Sequence, residues 1–342
     1  MNTTNKYDLI ENTLLTEVSG RLKEFDLLRK KLLVATSGGN DSTALLLIIS
    51  SISETYNIEL EAIHINHQLR GQESENDQNF ISELCNDIGV NLIVKNGNPN
   101  DTINTTKNLE NHLRNIRYDI FASTVKEKGF EGVIIAHHLN DHVETFLMKI
   151  SRGSGLDGME GINSFIKYKA LNNLKVYRPL LQIPKKILTQ YCYSQGISPR
   201  QDSSNLINSF SRNRVRNKII PEFEKLNSNF LDSINRLTKI ISSMNSQEKE
   251  RIKLESSSLE VNEMSKDISF SRQKFNELSL FDKKLFLKIK FTELSNNSFI
   301  ENKHLDYIVE KSKSNTSNFS LDLPNSLKLI AKKTRLSLVD TM

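Results

Sequence analysis

"KLLVATSGGNDS", residues 31–42, joins an apolar run to a loop rich in glycine and serine. The run 31–37 predicts a buried β-strand, and residues 42–56 predict the helix that follows it. Glycine lets a backbone approach a ligand closely, and the first N–H groups of the helix point at the same place. The loop 37–42 is therefore a predicted phosphate-binding site.

The loop also carries one carboxylate, Asp41, between the hydroxyl donors Ser37 and Ser42. A carboxylate repels a bare anion, so Asp41 indicates a divalent metal that bridges it to the phosphates. The spacing matches neither the GxxxxGK[ST] loop nor the GxGxxG loop. The alternative is an ordinary strand–helix turn in which a serine or aspartate caps the helix.

Strands and helices alternate along the first part of the chain. The predicted strands after the first are 60–67, 91–96 and 132–138, and the predicted helices are 75–89, 108–129 and 141–151. This alternation predicts an α/β fold, a Rossmann-like parallel sheet with helices on both faces. Ligands of such sheets bind beyond the carboxyl ends of the strands. HINHQLR (64–70) and AHHLNDHVET (136–145) follow two strands as SGGNDS follows the first, so we expect three polar clusters on one rim.

The rest of the chain predicts a helical linker and a small α+β domain. We place the boundary after residue 217, with a catalytic domain at 1–217 and a C-terminal domain at 218–342. The expected features are an irregular pattern at 154–176 with a loop at GSGLDGMEGINS, a turn and helix at 178–196, a long helical region at 216–256, helices at 271–295 and 301–312, and a hairpin around Asn325-Ser326 between NFSLDLP and LKLIAKKTRLSLVD.

Composition places the chain among globular proteins of the cytosol. Of 342 residues, 37% are hydrophobic and 25% charged, and no run of about 18 apolar residues predicts a membrane helix. The N-terminus lacks the basic and apolar regions of a secretory signal. Cys85 and Cys192 form no CxxC pair, which disfavours a disulfide framework. The net charge of +5 does not by itself indicate nucleic acid.

Several charged residues have both a functional and a plain interpretation. Arg114 and Arg117 lie three positions apart on one helix, as do Asp141 and Glu144 on another. Alone, the arginines also fit a solvated basic face, and acids are common at helix starts because of the helix dipole. A zinc site on HINH is disfavoured, because no cysteine or paired histidine lies at metal-ligand spacing.

Two basic stretches are candidate contacts for RNA phosphates. RNRVRNK, residues 212–218, holds Arg212, Arg214, Arg216 and Lys218 without one acid. KLIAKKTR, residues 328–335, is the second stretch. A solvated helix start is the alternative interpretation of the first.

SGGNDS resembles the SGGxDS signature of the PP-loop ATP pyrophosphatases, which cleave ATP between the α and β phosphates and adenylate an oxygen of the substrate. Over residues 30–225 the motifs resemble, in order, those of the tRNA(Ile)-lysidine synthetase family. These motifs are HxNHxLR, RxxRY, AHHxxDxxET, RGSGLDGM (152–159), RPLL (178–181), DSSN (202–205) and RNRVRNKIIP (212–221). The chain departs from the common AHHxDDQxET at Asn140 and His142, and Gln201 replaces a common acid near DSSN.

The resemblance implies a ligase that forms a carbon–nitrogen bond. ATP would adenylate the C2 oxygen of the wobble cytidine of a tRNA(Ile) with a CAU anticodon, and L-lysine would displace AMP, giving lysidine and changing the codon and amino-acid specificity from Met to Ile. The implied roles are ATP binding for Ser37, Gly38, Gly39, Asn40, Asp41, Ser42 and His64, Mg²⁺ binding for Asp41, catalysis for Asp41, Arg117 and His137, lysine binding for Asp141 and Glu144, and tRNA binding for Arg114, Arg212, Arg214, Arg216 and Lys218.

Three alternatives remain open from the residues. A tRNA thiolase on the same fold generally needs a relay cysteine or an iron–sulfur cluster, which two isolated cysteines disfavour. An amide-forming synthetase usually needs an ammonia source, often an attached glutaminase domain that this sequence lacks. A non-catalytic RNA-binding protein is disfavoured by the intact SGGNDS loop. We expect a cytoplasmic protein without a membrane partner, and the oligomeric state stays open, a homodimer included.

Overall fold

The chain folds into two compact units, Met1–Lys239 and Ile240–Met342. The computed structural model describes residues 3–69, 71–97, 109–198, 211–264, 267–295, 300–313 and 318–341. The domain boundary predicted after residue 217 lies inside the first unit. The motif DSSN and Gln201 lie outside the described residues.

A six-stranded sheet with the order β3-β2-β1-β4-β6-β5 forms the centre of the first unit. Its strands are β1 (Lys31–Ala35), β2 (Glu59–Asn66), β3 (Asn91–Asn96), β4 (Val133–Ile134), β5 (Phe165–Tyr168) and β6 (Leu174–Tyr177). All neighbouring pairs are parallel except β5 with β6. The prediction of an α/β fold is thus confirmed, with one antiparallel strand at the edge.

The segment 154–176, predicted to be irregular with a loop at GSGLDGMEGINS, is more regular than expected. It contains a short helix, α6 (Leu156–Met159), and the hairpin of β5 and β6. Asn172 and Asn173 adopt left-handed backbone angles, with φ of 51° and 60°, which turn the chain back on itself. Both strands are only four residues long, and the edge strand β5 is also partly exposed, so its sequence lacks a clear apolar pattern.

Helices cover both faces of this sheet. They are α1 (Thr3–Glu24), α2 (Asn40–Ser53), α3 (Gln72–Asp87), α4 (Leu109–Lys128), α5 (Leu139–Ser151) and α7 (Lys185–Ser194). Leu32 and Val34 of β1 pack in a core with residues of α2 and α7, whereas Leu33 packs in another core with residues of α4. Because successive strand residues point to opposite faces, these two cores lie on opposite sides of the sheet.

The helical region predicted at 216–256 is interrupted. It comprises α8 (Ser211–Arg214), a π-helical turn (Val215–Ile219), α9 (Ile220–Leu226) and α10 (Phe230–Ser256). Pro221 has no N–H to donate to the carbonyl four residues earlier, and its ring crowds that carbonyl, which explains a widened turn just before it. The boundary between the two units, after Lys239, falls within the sequence of α10.

The second unit is an α+β fold, as predicted. Its antiparallel sheet has the order β7 (Asn262–Met264), β8 (Asp267–Ser271), β11 (Arg335–Asp340), β10 (Leu327–Ala331) and β9 (Phe319–Leu323), with helices α11 (Arg272–Glu277), α12 (Leu280–Leu294) and α13 (Asn302–Ser312). The hairpin at Asn325 and Ser326 is confirmed, with φ of 60° and 56°.

Other details of this unit differ from the sequence prediction. The helix expected at 271–295 is two helices, because Leu278 is extended and Ser279 caps α12 by accepting a hydrogen bond from Asp282 N (3.1 Å). LKLIAKKTRLSLVD forms two strands, and β7 and β8 were missed. No helix in the described parts of the chain is long and apolar enough to cross a membrane.

Candidate functional site

The SGGNDS loop is closed by its own last serine. Ser42 Oγ donates to Gly39 O (3.0 Å) and lies 3.1 Å from Ser37 N–H, whose hydrogen bond it accepts. Gly38 has a φ of +82°, which favours glycine, while Gly39 is extended and precedes the first residue of α2. The first N–H groups of α2 have no partner within the helix, so the closed loop and the helix start form a site suited to phosphate.

The carboxylate of Asp41 contacts one lysine and one histidine. Its Oδ2 lies 3.2 Å from Lys185 Nζ on α7 and 3.3 Å from His138 Nε2 at the start of α5. Burial alone would raise the pKa of Asp41, but His138 and Lys185 outweigh it and hold that pKa well below the usual range. Asp41 is therefore an ionised carboxylate at the phosphate loop.

His138 connects the loop to α5. Its backbone N–H donates to Asp141 Oδ2 (3.1 Å), and its Nδ1 accepts from Asp141 N–H (3.3 Å), a reciprocal cap of the helix start. Because Nδ1 accepts, the ring proton is on Nε2, which donates toward Asp41. One buried imidazole thus bridges the predicted nucleotide residue Asp41 and the predicted lysine residue Asp141.

Asp141 and Glu144 face two arginines. Arg212 donates from Nε to Glu144 Oε2 (2.8 Å) and from Nη2 to Asp141 Oδ1 (3.0 Å). Arg216 donates from Nε to Glu144 Oε1 (2.5 Å) and from Nη2 to Asp141 Oδ1 (3.2 Å). Glu144 is fully buried. Burial alone would raise the pKa of Asp141 and lower the pKa of Arg216. The positive charges around Asp141 and the carboxylate of Glu144 outweigh burial, so the pKa of Asp141 is lowered and that of Arg216 is raised. We call Asp141, Glu144, Arg212 and Arg216 the charged quartet.

The basic stretch 212–218 therefore divides into two sets. Arg212 and Arg216 are half-buried against the carboxylates, while Arg214 and Lys218 are exposed. Within each pair the residues are four positions apart and share a side of the helical turn. The second stretch, in the other unit, has Lys332 and Lys333 exposed at the turn between β10 and β11.

His137 belongs to a separate cluster at the end of β4. Its Nδ1 lies 3.0 Å from Arg178 Nε, and Arg178 also contacts Tyr118 Oη (3.4 Å), which accepts from Arg114 Nη2 (3.3 Å). Burial, with a further contribution from Arg178, lowers the pKa of His137 to about 3 although Asp141 opposes this. His137 is therefore neutral, and the structure joins two predicted site residues, Arg114 and His137, through Arg178.

The remaining predicted residues lie around this rim. His64 Nδ1 donates to Thr36 O (3.0 Å), which supports the residue just before the loop. Asn40 Nδ2 donates to Thr189 Oγ1 on α7 (2.9 Å). Arg117 is exposed on α4, where its charge adds to burial in lowering the pKa of His67 to about 4.

The two departures from the family motif both have partners. Asn140 Oδ1 accepts from Lys185 N–H (3.0 Å) and so caps the start of α7. His142 Nδ1 accepts from Ile162 N–H (3.1 Å), so its protonated Nε2 donates to Thr238 Oγ1 (2.9 Å). Asn140 thereby positions the helix whose first residue pairs with Asp41.

Three residues of the site were missed at the sequence level: His138, Arg178 and Lys185. Arg178 opens the motif RPLL and His138 stands within AHH, so the motifs named them but gave no partner. Lys185 follows Pro184 at the start of α7, a place typical of a helix N-terminus and of no particular chemistry. Each of the three makes at least one contact with a residue far away in sequence, which a pattern does not reveal.

The chemistry of the loop fits Mg²⁺ held jointly with a nucleotide. Asp41 supplies an ionised oxygen donor, the ligand type that Mg²⁺ prefers. Within the described ranges, no three His, Cys, Asp or Glu side chains come together as a metal cage. One carboxylate with phosphates and waters is the usual ligand set of this ion, so the residues present are sufficient.

Comparison with known proteins gives one family and several relatives. A family model described as a PP-loop domain matches residues 12–223. The tRNA(Ile)-lysidine synthase of Clostridioides difficile strain 630 is 29% identical over 95% of this chain and 70% of its own length. That of Clostridium perfringens strain ATCC 13124 is 32% identical over 82% of this chain. The chain spans 58% of the length of this second relative.

Solved structures of similar fold include a tRNA thiolase. The U34-tRNA thiolase NcsA from Methanococcus maripaludis, with its [4Fe-4S] cluster, superposes with a TM-score of 0.58 at 19% identity. The match covers 69% of this chain and 80% of that chain. At this identity the likeness establishes the fold alone.

Proposed function

Since this chain belongs to the PP-loop family, we propose that it is an ATP-dependent ligase that joins L-lysine to C2 of the wobble cytidine of a tRNA(Ile) with a CAU anticodon. The observation that carries the proposal is the bridge made by His138. It links the ionised Asp41 of the phosphate loop to Asp141 of the charged quartet, which supports a nucleotide site and an amino-acid site next to each other. A ligase that activates one substrate for attack by another needs this adjacency.

The proposed reaction has two steps, adenylation of the cytidine and displacement of AMP by lysine. The cytidine C2 oxygen attacks the α-phosphate of ATP, the bond to pyrophosphate breaks, and pyrophosphate leaves. The ε-amine of lysine then attacks C2, AMP leaves with the former C2 oxygen, and the amine loses a proton. Adenylation is needed because the bare oxygen is a poor leaving group.

The phosphate loop would bind ATP through its backbone and its serines. We assign this role to Ser37, Gly38, Gly39, Asn40 and Ser42, with His64 supporting the loop from behind through Thr36. Asp41 would hold Mg²⁺, which offsets the phosphate charge as the α-phosphate is attacked. Lys185 lies 3.2 Å from the same carboxylate and is placed to contact phosphate as well.

The charged quartet suits a free amino acid. Asp141 and Glu144 offer acceptors for the α-ammonium of L-lysine, and Arg212 and Arg216 offer donors for its α-carboxylate. Holding the α-end leaves the ε-amine free to attack. Because the two carboxylates already accept hydrogen bonds from the two arginines, lysine binding would replace some of these ion pairs with contacts to the lysine.

Lysine analogues test this assignment. Cadaverine keeps an attacking amine but lacks the α-carboxylate, so it should be a poor substrate. Arg216→Gln should raise the KM for L-lysine by about tenfold or more, the value of a charged hydrogen bond, and leave the KM for cadaverine nearly unchanged. Equal effects on both amines would place the carboxylate elsewhere.

The exposed half of the basic stretch is the proposed tRNA contact. Arg214→Gln and Lys218→Gln should each weaken tRNA binding and lower the slope of log affinity against log salt by about 1. Lys23→Gln, an exposed lysine on α1, is the matched control and should leave the slope unchanged. Arg114 is assigned to the same RNA and Arg117 to catalysis; both are proposals that the same titration and turnover assays test.

The function is tested by product formation. Purified protein with Mg-ATP and a CAU-anticodon isoleucine tRNA transcript should release AMP and pyrophosphate, with AMP release dependent on L-lysine. Asp41→Asn should abolish both, whereas Asp87→Asn at the exposed end of α3 should not. AMP release without lysine would indicate another nucleophile, and tRNA binding without turnover would indicate a binding protein.

The thiolase alternative is disfavoured by the state of the cysteines. Both thiols are buried, and burial raises the pKa of Cys85 to about 11 and of Cys192 to about 12. A sulfur relay needs an accessible thiolate. Transfer of labelled sulfur to tRNA by the purified protein would reverse this conclusion.

A further inference from the structure

Arg178 is a buried cation whose hydrogen-bond partners are all uncharged. Its side chain is only 4% exposed, and it donates to His137 Nδ1 (3.0 Å), Asn163 O (2.8 Å) and Tyr118 Oη (3.4 Å). Among the residues that the structure describes, no carboxylate lies within ion-pair distance of it. A buried charge without a counter-charge is costly, and such groups cluster where an anion binds.

The contact between Arg178 and His137 determines which ring nitrogen of His137 carries the proton. A guanidinium Nε–H can only donate, so His137 Nδ1 must present its lone pair to Arg178. The proton of the neutral ring then resides on Nε2. The other charged groups acting on this ring are Arg114, Arg212 and Asp141, and burial together with the cations lowers the pKa of His137 to about 3. His137 is therefore neutral and bears a hydrogen-bond donor at Nε2.

We propose that Arg178 is a positioning residue that fixes His137 in the Nε2–H tautomer, so that His137 donates a hydrogen bond to a phosphoryl oxygen and does not act as a base. The assignment of the phosphoryl oxygen rests on the proposed function; the tautomer does not. The consequence is that the proton lost by the lysine ε-amine goes to a group other than His137. Together, the His137 donor and the Arg178 charge favour an anion at this end of β4.

Nitrogen NMR tests the tautomer directly and needs no activity. In protein labelled with ¹⁵N in its histidine rings, His137 should show an unprotonated Nδ1 and a protonated Nε2, with its signals assigned by their loss in His137→Gln. His64 is an internal contrast, because its Nδ1 donates to Thr36 O and should therefore be protonated. A protonated Nδ1 on His137 in the wild-type protein would overturn the proposal.

Variants of Arg178 test the cause. Arg178→Met removes the donor and should bring the Nδ1–H form of His137 into the spectrum, whereas Arg178→Lys keeps a donor and a charge and should restore the wild-type form at least in part. The signals of His64 report whether each variant is folded. An unchanged His137 spectrum in folded Arg178→Met would show that Arg178 does not set the tautomer.

Kinetics test the donor role. His137→Leu, whose side chain has no hydrogen-bond donor, should lower the kcat for tRNA-dependent pyrophosphate release by about 10²–10³, the usual value of one transition-state donor, with little change in the KM for ATP. The wild-type rate should show no limb from His137 between about pH 6 and 8, because burial keeps the imidazole neutral throughout this range. A complete lack of turnover in the wild type would refute the proposed function and leave the tautomer result standing.

Discussion

Replacing one carboxylate oxygen of Glu144 by an amide nitrogen should strongly lower the stability of the protein. The side chain of Glu144 is fully buried and accepts hydrogen bonds from Arg212 Nε (2.8 Å), Arg216 Nε (2.5 Å) and Arg216 Nη2 (3.0 Å). Glu144→Gln keeps the shape of the side chain but leaves two guanidinium groups to share the single carboxylate of Asp141. An uncompensated charge then remains in a half-buried site.

The size of the effect follows from burial. Breaking a buried ion pair from one side costs about 3–5 kcal/mol. The arginine side chains are 28% and 29% exposed and can turn partly to water, so we take the lower end, about 3 kcal/mol. For a unit of this size, about 3 kcal/mol corresponds to a fall in melting temperature of roughly 6 °C or more.

Thermal unfolding followed by circular dichroism measures this fall. The matched control is Glu222→Gln, which removes a carboxylate whose pair with Lys225 is 70% exposed on both sides and should lower the melting temperature by no more than about 1 °C. Adding Arg216→Gln to Glu144→Gln should recover part of the loss, because Arg212 then faces Asp141 one to one. If Glu144→Gln had the same melting temperature as Glu222→Gln, the buried carboxylate of Glu144 would not stabilise the charged quartet.

Three further pairs of substitutions, each a test variant with a comparison variant, have defined outcomes. His142→Gln should melt close to the wild type, because a carboxamide can accept from Ile162 N–H and donate to Thr238, whereas His142→Ala should lose about 1–3 kcal/mol from an unsatisfied buried N–H. Lys185→Ala should weaken ATP binding by about 10-fold or more in a titration, with the exposed Lys186→Ala unchanged. Gly38→Ala, at a φ of +82°, should lower the stability by about 1 kcal/mol or more, while Gly39→Ala, at −72°, should melt like the wild type.

The sheet and its rim were predictable because both rest on local patterns. Alternating apolar strands and amphipathic helices specify a parallel sheet, and the topology then places the three polar clusters at one edge. The hairpin at Asn325 was predictable for a similar reason, since its turn lies between two alternating strands. The edge strand β5 was not, because its four residues bury little.

The pairing within the site was not predictable from the same patterns. The run of basic residues without an acid, together with the family resemblance, assigned Arg212 and Arg216 to RNA along with Arg214. Only the packing against α5 distinguishes the two sets. Likewise, Lys185 and Asp41 are distant in sequence and meet through the cap that Asn140 provides. Which polar groups pair depends on tertiary distance, whereas a motif records only their order.

Mass spectrometry of the anticodon tests the central claim most directly. The tRNA is incubated with the protein, Mg-ATP and isotopically labelled L-lysine, digested with a ribonuclease, and the fragment with the CAU anticodon is analysed. The wobble cytidine should gain the mass of one lysine less one water, with the isotope label, and Asp41→Asn should give no gain. An unmodified cytidine despite ATP cleavage, or a gain at another nucleotide, would contradict the claim.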